Sequence, residues 1–97
     1  MTDAEAAAGL AAAEAYEGWP DAEVIGVSRD QEMVQLIITT ADAATDQSVA
    51  GRQDAALSAL TEVVTKAGYI DEVPDGLLAG VATAVLAAVA GLRAQRT

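Results

Sequence analysis

The first stretch of the chain is alanine-rich, with scattered glutamates and little apolar bulk. Residues 3–17 are typical of a helix that packs lightly, and either Thr2 or Asp3 is a suitable N-cap. The run Gly18-Trp19-Pro20-Asp21 then stops the helix and turns the chain. We therefore expect one domain over residues 1–97, with a loosely packed N-terminal helix within residues 1–18.

The next stretch has the pattern of a β-hairpin. Residues 23–27 and residues 32–40 are rich in apolar residues, many of them β-branched, and they flank the polar stretch 28–31. The density of β-branched residues in the second run favours a strand over a helix. Because an isolated two-stranded hairpin is marginally stable in water, we expect helices or a second chain to cover it.

A further helix is predicted after the polar connection over residues 41–47. Ser48 is a suitable N-cap for a helix over residues 49–67, and Gly68 suits the left-handed position that ends it. Leucine, valine and alanine recur there at near-helical spacing. The predicted apolar stripe of this helix consists of Leu57, Leu60, Val64 and Ala67.

The last helix is predicted from the uncharged run over residues 76–92, which places apolar or small residues on every side. Such a helix has no solvent face, so it is buried in a core, in an oligomer or in a bilayer. Pro74 suits its first turn, and Arg93 and Arg96 complement the negative end of its dipole.

Two interpretations of residues 76–92 stay open. In the first, the run is a central core helix that also meets a dimer mate. In the second, it is a single transmembrane span, for which its length is near the lower limit. Its many small residues permit close helix–helix approach in either solvent. The fold class predicted for the soluble case is α+β: an N-terminal helix, a β-hairpin, then a two-helix hairpin with a very apolar C-terminal helix.

The composition of the chain limits the classes of function that it can have. The chain has 97 residues and a formal net charge of −10, with no Phe, one Trp and two Tyr. Phosphate neutralisation needs clustered Lys and Arg, so the charge argues against direct binding of nucleic acid or of anionic membrane surfaces. The acidity has three explanations: solubility, a high-salt cytoplasm, or an acidic face for a basic partner. A core with so few aromatic residues favours self-association.

Candidate chemistry is scarce because the chain has no His and no Cys. Histidine-based acid–base catalysis, Cys-His and Ser-His-Asp sites and nearly all transition-metal sites are thereby excluded. Carboxylates cluster at Asp42 and Asp46, and at Asp71, Glu72 and Asp75, and such groups bind Ca²⁺ or Mg²⁺ in other settings. Their spacing does not match an EF-hand, and acids are common at helix starts. We therefore expect no catalytic residue, no cofactor and no metal site.

The function favoured by these patterns is that of a small, acidic, non-enzymatic interaction or assembly protein that acts as a homo-oligomer in the cytoplasm. Two alternatives stay open: an acidic, antitoxin-like inhibitor of a basic protein, and a small membrane protein that spans with residues 76–92. The start of the chain lacks the basic region of a secretory signal. The residues predicted to form the interface are Val81, Val85, Ala88, Val89, Leu92 and Trp19.

Overall fold

The computed structural model describes residues 2–16, 30–68, 73 and 76–95, and this part of the chain is a bundle of four α-helices without a strand. The helices are α1 (Asp3–Ala15), α2 (Gln31–Asp42), α3 (Val49–Ala67) and α4 (Leu77–Gln95). The predicted α+β class is therefore wrong: the described residues form an all-α fold.

The error lies in residues 32–40, which were expected to be a strand and belong to α2. The Asp30 side chain caps this helix, accepting a hydrogen bond from the Met33 N–H at 3.1 Å. The buried side chains of α2 are Met33, Val34, Ile37, Ile38 and Ala41, which recur at helical and not at alternating spacing. Burying this stripe outweighs the few tenths of a kcal/mol by which each Val or Ile disfavours a helix. The other predicted strand, residues 23–27, lies outside the described residues.

The predicted ends of the other helices are largely confirmed. Thr2 caps α1 in a capping box with Glu5, although α1 ends at Ala15, earlier than expected. Ser48 caps α3 by accepting a hydrogen bond from the Gly51 N–H at 3.1 Å. Gly68 ends α3 with a φ of 86°, in the left-handed region that favours glycine.

The apolar stripe of α3 is confirmed only in part. Leu60 and Val64 are fully buried, and Leu57 is half-buried. Ala67, in contrast, is exposed at the end of the helix, and the fully buried Ala56 takes a place in the stripe instead. The stripe therefore begins one residue earlier than expected, at Ala56, and ends at Val64.

Helix α4 is the central element, since it packs against α1, α2 and α3, while α2 and α3 form the other extensive contact. Its buried residues are Leu77, Leu78, Val81, Ala82, Val85, Leu86 and Val89. Helix α1 comes close at Gly9, where an added Cβ would lie 2.7 Å from Val34 Cγ1 and 3.2 Å from Val85 Cγ1. The Tyr16 hydroxyl similarly lies against Gly80. Gly9 thus lets α1 lie close to both α2 and α4, and Gly80 leaves room on α4 for the Tyr16 side chain at the end of α1.

The two sides of α4 differ in the size of their side chains. The buried side carries the large aliphatic residues, whereas Thr83, Ala87, Ala90 and Gly91 are exposed. The all-round apolar pattern therefore resolves into a large-residue core face and a small-residue outer face. The helix begins at Leu77, after Gly76 with a φ of 81°. Pro74, which was expected in the first turn, lies outside the described residues.

Candidate functional site

An ion-pair network joins all four helices at one end of the bundle. Arg93, in the last turn of α4, donates from Nε to Glu5 Oε2 of α1 at 2.6 Å. Its two terminal nitrogens donate to the two carboxylate oxygens of Asp42, at the end of α2, at 3.0 Å each. Glu5 is 3% exposed, so Arg93 supplies the cation for a carboxylate that the fold has removed from water.

The first turn of α3 completes this network through Arg52. Its Nη1 donates to Asp42 Oδ1 and to Gln47 Oε1, both at 2.9 Å. The Gln47 amide in turn donates to the carbonyl oxygens of Ala41 at 2.9 Å and of Ala44 at 2.7 Å, which satisfies acceptors at the end of α2. Asp42 thus lies between two guanidinium groups, one from α3 and one from α4.

The electrostatics of the network follow from this geometry. Hydrogen bonding from Arg93, helped by Arg52, lowers the pKa of Asp42 below its ordinary value, although partial burial opposes the shift. The same contact with Asp42, followed by that with Glu5, raises the pKa of the Arg93 guanidinium. Two arginines and two carboxylates therefore form a cluster with no net charge, which holds the helix ends together.

Sequence reasoning assigned Arg93 only to the helix dipole and missed this network. The available signal was Glu5, because a glutamate three residues after the N-cap Thr2 completes a capping box. That signal does not reveal a partner on another helix. Glu5 and Arg93 are 88 positions apart, so only the packing of α1 on α4 brings them together.

A groove lies between the first turns of α3 and the middle of α4, next to Arg52. Its volume is about 330 Å³, and most of its lining surface is apolar. The lining residues are Val49, Arg52, Gln53, Thr83, Leu86, Ala87 and Ala90. Val49 is 73% exposed. Among the described large hydrophobic residues, Val63 is the other exposed one, at 39%. The groove and the Val49 side chain together form an apolar patch, which we call the α3–α4 patch.

The α3–α4 patch contains no carboxylate, although the chain carries 15 acidic residues. Its one ionisable side chain is Arg52, which pairs with the exposed Asp42 at 2.9 Å. Among the residues that the structure describes, the exposed acids lie on or beside α1, α2 and α3, for example Asp3, Glu32 and Glu62. The patch lining is thus free of carboxylates on a strongly acidic molecule.

The structure places the residues predicted for an interface in three environments. Val81, Val85 and Val89 are fully buried in the core of the chain. Ala88 and Leu92 are half-buried. Trp19 lies outside the described residues. The exposed neighbours on α4 that line the groove, such as Ala87, were not among those predicted.

The clustered carboxylates do not form a metal site within the described residues. No group of three or more acidic side chains there is arranged to hold a metal ion. Asp42 contacts the two arginines, and Asp46 accepts a hydrogen bond from the Ser48 N–H at 2.9 Å, which lowers the pKa of Asp46. Asp71, Glu72 and Asp75 lie outside the described residues.

Helix α4 is the one described helix that is long and apolar enough to cross a membrane. An 18-residue stretch of this helix has a mean hydropathy of 1.9, and 39% of that stretch is buried inside the bundle. Core helices of soluble proteins satisfy the same criteria, so length and composition do not separate the two cases.

Comparisons with protein-family models, with curated proteins and with solved structures find no match for this chain.

Proposed function

We propose that this chain is a small non-enzymatic interaction or assembly protein that acts as a homo-oligomer. The observation that carries the proposal is the α3–α4 patch, where Val49 is 73% exposed beside an apolar groove of about 330 Å³. Apolar surface of this kind is stabilised when another macromolecule removes it from water. The sequence has neither His nor Cys, which leaves few routes to catalysis.

Charge supports a second candidate, an inhibitor that offers its acidic surface to a basic protein. The net charge of −10 favours association with a cationic partner. The exposed acids that the structure describes are spread over or beside α1, α2 and α3, however, and none of them lines the α3–α4 patch. Self-association through a surface lined by no carboxylate therefore accounts better for the exposed apolar groove.

Light scattering after size exclusion, in buffer without detergent, tests the proposal. We expect a dimer or larger oligomer whose dissociation constant falls as salt rises, because salt screens the repulsion between two acidic chains. A monomer at every concentration and salt would overturn homo-oligomerisation. Capture of a basic protein that weakens with salt would favour the inhibitor instead, and a chain that stays in solution only with detergent would favour a membrane span.

A further inference from the structure

We propose that the α3–α4 patch is a twofold interface between two copies of this chain, in which Val49 of each copy enters the groove of the other. This inference rests on the proposed homo-oligomer and names its contact surface. A twofold interface uses the same patch on both copies, so the patch must be complementary to itself.

The α3–α4 patch has the two shapes that such an interface needs. Val49 is an exposed apolar side chain in the first turn of α3, and it borders the groove that Leu86 and Ala87 also line. Because Val49 and the groove are adjacent, a single twofold rotation can place Val49 of each copy in the groove of the other. The small side chains of Ala87 and Ala90 leave room for the approach of a second backbone.

Charge identifies a second copy as the occupant. Two chains with a net charge of −10 repel each other wherever acidic surfaces meet. The α3–α4 patch has no carboxylate, and its Arg52 is already paired with Asp42 at 2.9 Å. Two copies that meet here therefore bring no carboxylate of the groove lining into contact. A basic peptide, in contrast, would find no carboxylate in the groove lining to pair with its cations.

Two matched substitutions test the contact without disturbing the monomer. Val49→Glu places a charge on the exposed side chain at the proposed contact, and Ala50→Glu places the same charge one residue along, where the side chain is exposed and does not line the groove. The first turn of α3 has no acid, so a glutamate at either position complements the positive end of the helix dipole. Both variants are therefore expected to keep wild-type helicity and the stability of the isolated monomer.

Sedimentation equilibrium in high salt measures the effect on association. We expect Val49→Glu to raise the dimer dissociation constant by about 30-fold or more, the size of a hot-spot loss, while Ala50→Glu stays within about threefold of wild type. If the wild type dimerises and the two variants behave alike, the α3–α4 patch is not the interface, although the proposed homo-oligomer stands. If the wild type is monomeric throughout, the proposed function itself fails.

Cysteine cross-linking tests the geometry, because the chain has no cysteine of its own. A Val49→Cys chain mixed with an Ala87→Cys chain should form a mixed disulfide in excess of either homodisulfide, since residue 49 of one copy faces residue 87 of the other. The control is Ser58→Cys, an exposed position of α3 outside the groove lining, which should form no such excess with Ala87→Cys. Equal yields from the two pairs would overturn the twofold arrangement.

Discussion

Arg93 and Asp42 form a two-pronged ion pair in which each terminal nitrogen of the guanidinium donates to a separate carboxylate oxygen at 3.0 Å. The pair joins the ends of α2 and α4, and Arg93 extends it to the buried Glu5 of α1. Parallel hydrogen bonds of this kind are geometrically specific, because the planar guanidinium matches the carboxylate. The pair therefore fixes the relative position of helices that the apolar core alone would hold less specifically.

Removal of the Arg93 guanidinium should destabilise the fold. We expect Arg93→Met to lower the free energy of unfolding by about 2 kcal/mol, because Glu5 then stays buried without its cation. Arg93→Lys should cause a smaller loss of stability, since lysine keeps the positive charge but lacks the planar guanidinium that donates parallel hydrogen bonds. Chemical denaturation measures both. The control is Lys66→Ala, which removes the exposed Lys66–Glu62 pair and should change little; equal losses for Arg93→Met and Lys66→Ala would contradict the network's role.

The stability provided by Asp42 should depend on pH. Its pKa is lowered in the folded chain, so its ion pairs stabilise the fold fully above the ordinary aspartate pKa of about 3.9, and the effect is lost as pH falls through the lowered value. Urea denaturation from neutral to strongly acidic pH should show wild type more stable than Asp42→Asn near neutrality, with the difference shrinking below about pH 4. A difference that stays constant with pH would show that the carboxylate charge is not responsible.

Two helical glycines should respond oppositely to alanine. In Gly9→Ala the new Cβ would lie 2.7 Å from Val34 Cγ1, so we expect overpacking to lower the free energy of unfolding by about 1–3 kcal/mol. At Gly91 no atom lies within 4 Å of an added Cβ, and the better helix propensity of alanine should stabilise the fold by up to about 1 kcal/mol. Thermal denaturation followed by circular dichroism distinguishes them, and a shift of the same sign for both would contradict this packing.

The Asp30 cap tests the helical assignment of the segment that resembled a strand. Asp30→Ala should lower the free energy of unfolding by about 1 kcal/mol and reduce helicity, because the Met33 N–H loses its acceptor. Asp30→Ser should retain most of the stability, since serine is also a good N-cap. If both variants match wild type, the first turn of α2 does not depend on this cap.

The features that the sequence predicted correctly are local. Ser48 and Gly68 marked both ends of α3, and the uncharged run after residue 76 marked α4, because capping and helical continuity depend on neighbouring residues. The spacing of Met33, Val34, Ile37 and Ile38 also contained the helical pattern of α2. The β-branched side chains of Val34, Ile37 and Ile38 pointed to a strand, and the sequence alone offered no measure of which preference was stronger.

The features that only the tertiary structure decided depend on residues far apart in the chain. Burial of one face of α2 in the bundle overrides the strand preference of its valine and isoleucines. The packing of α1 on α4 converts Glu5 and Arg93 from surface charges into an internal ion pair. The outer face of α4 and the first turn of α3 together form a groove that neither helix has by itself. The sequence by itself thus determined where most helices begin and end, whereas the faces they bury and the surface they leave apolar arise from packing between distant segments.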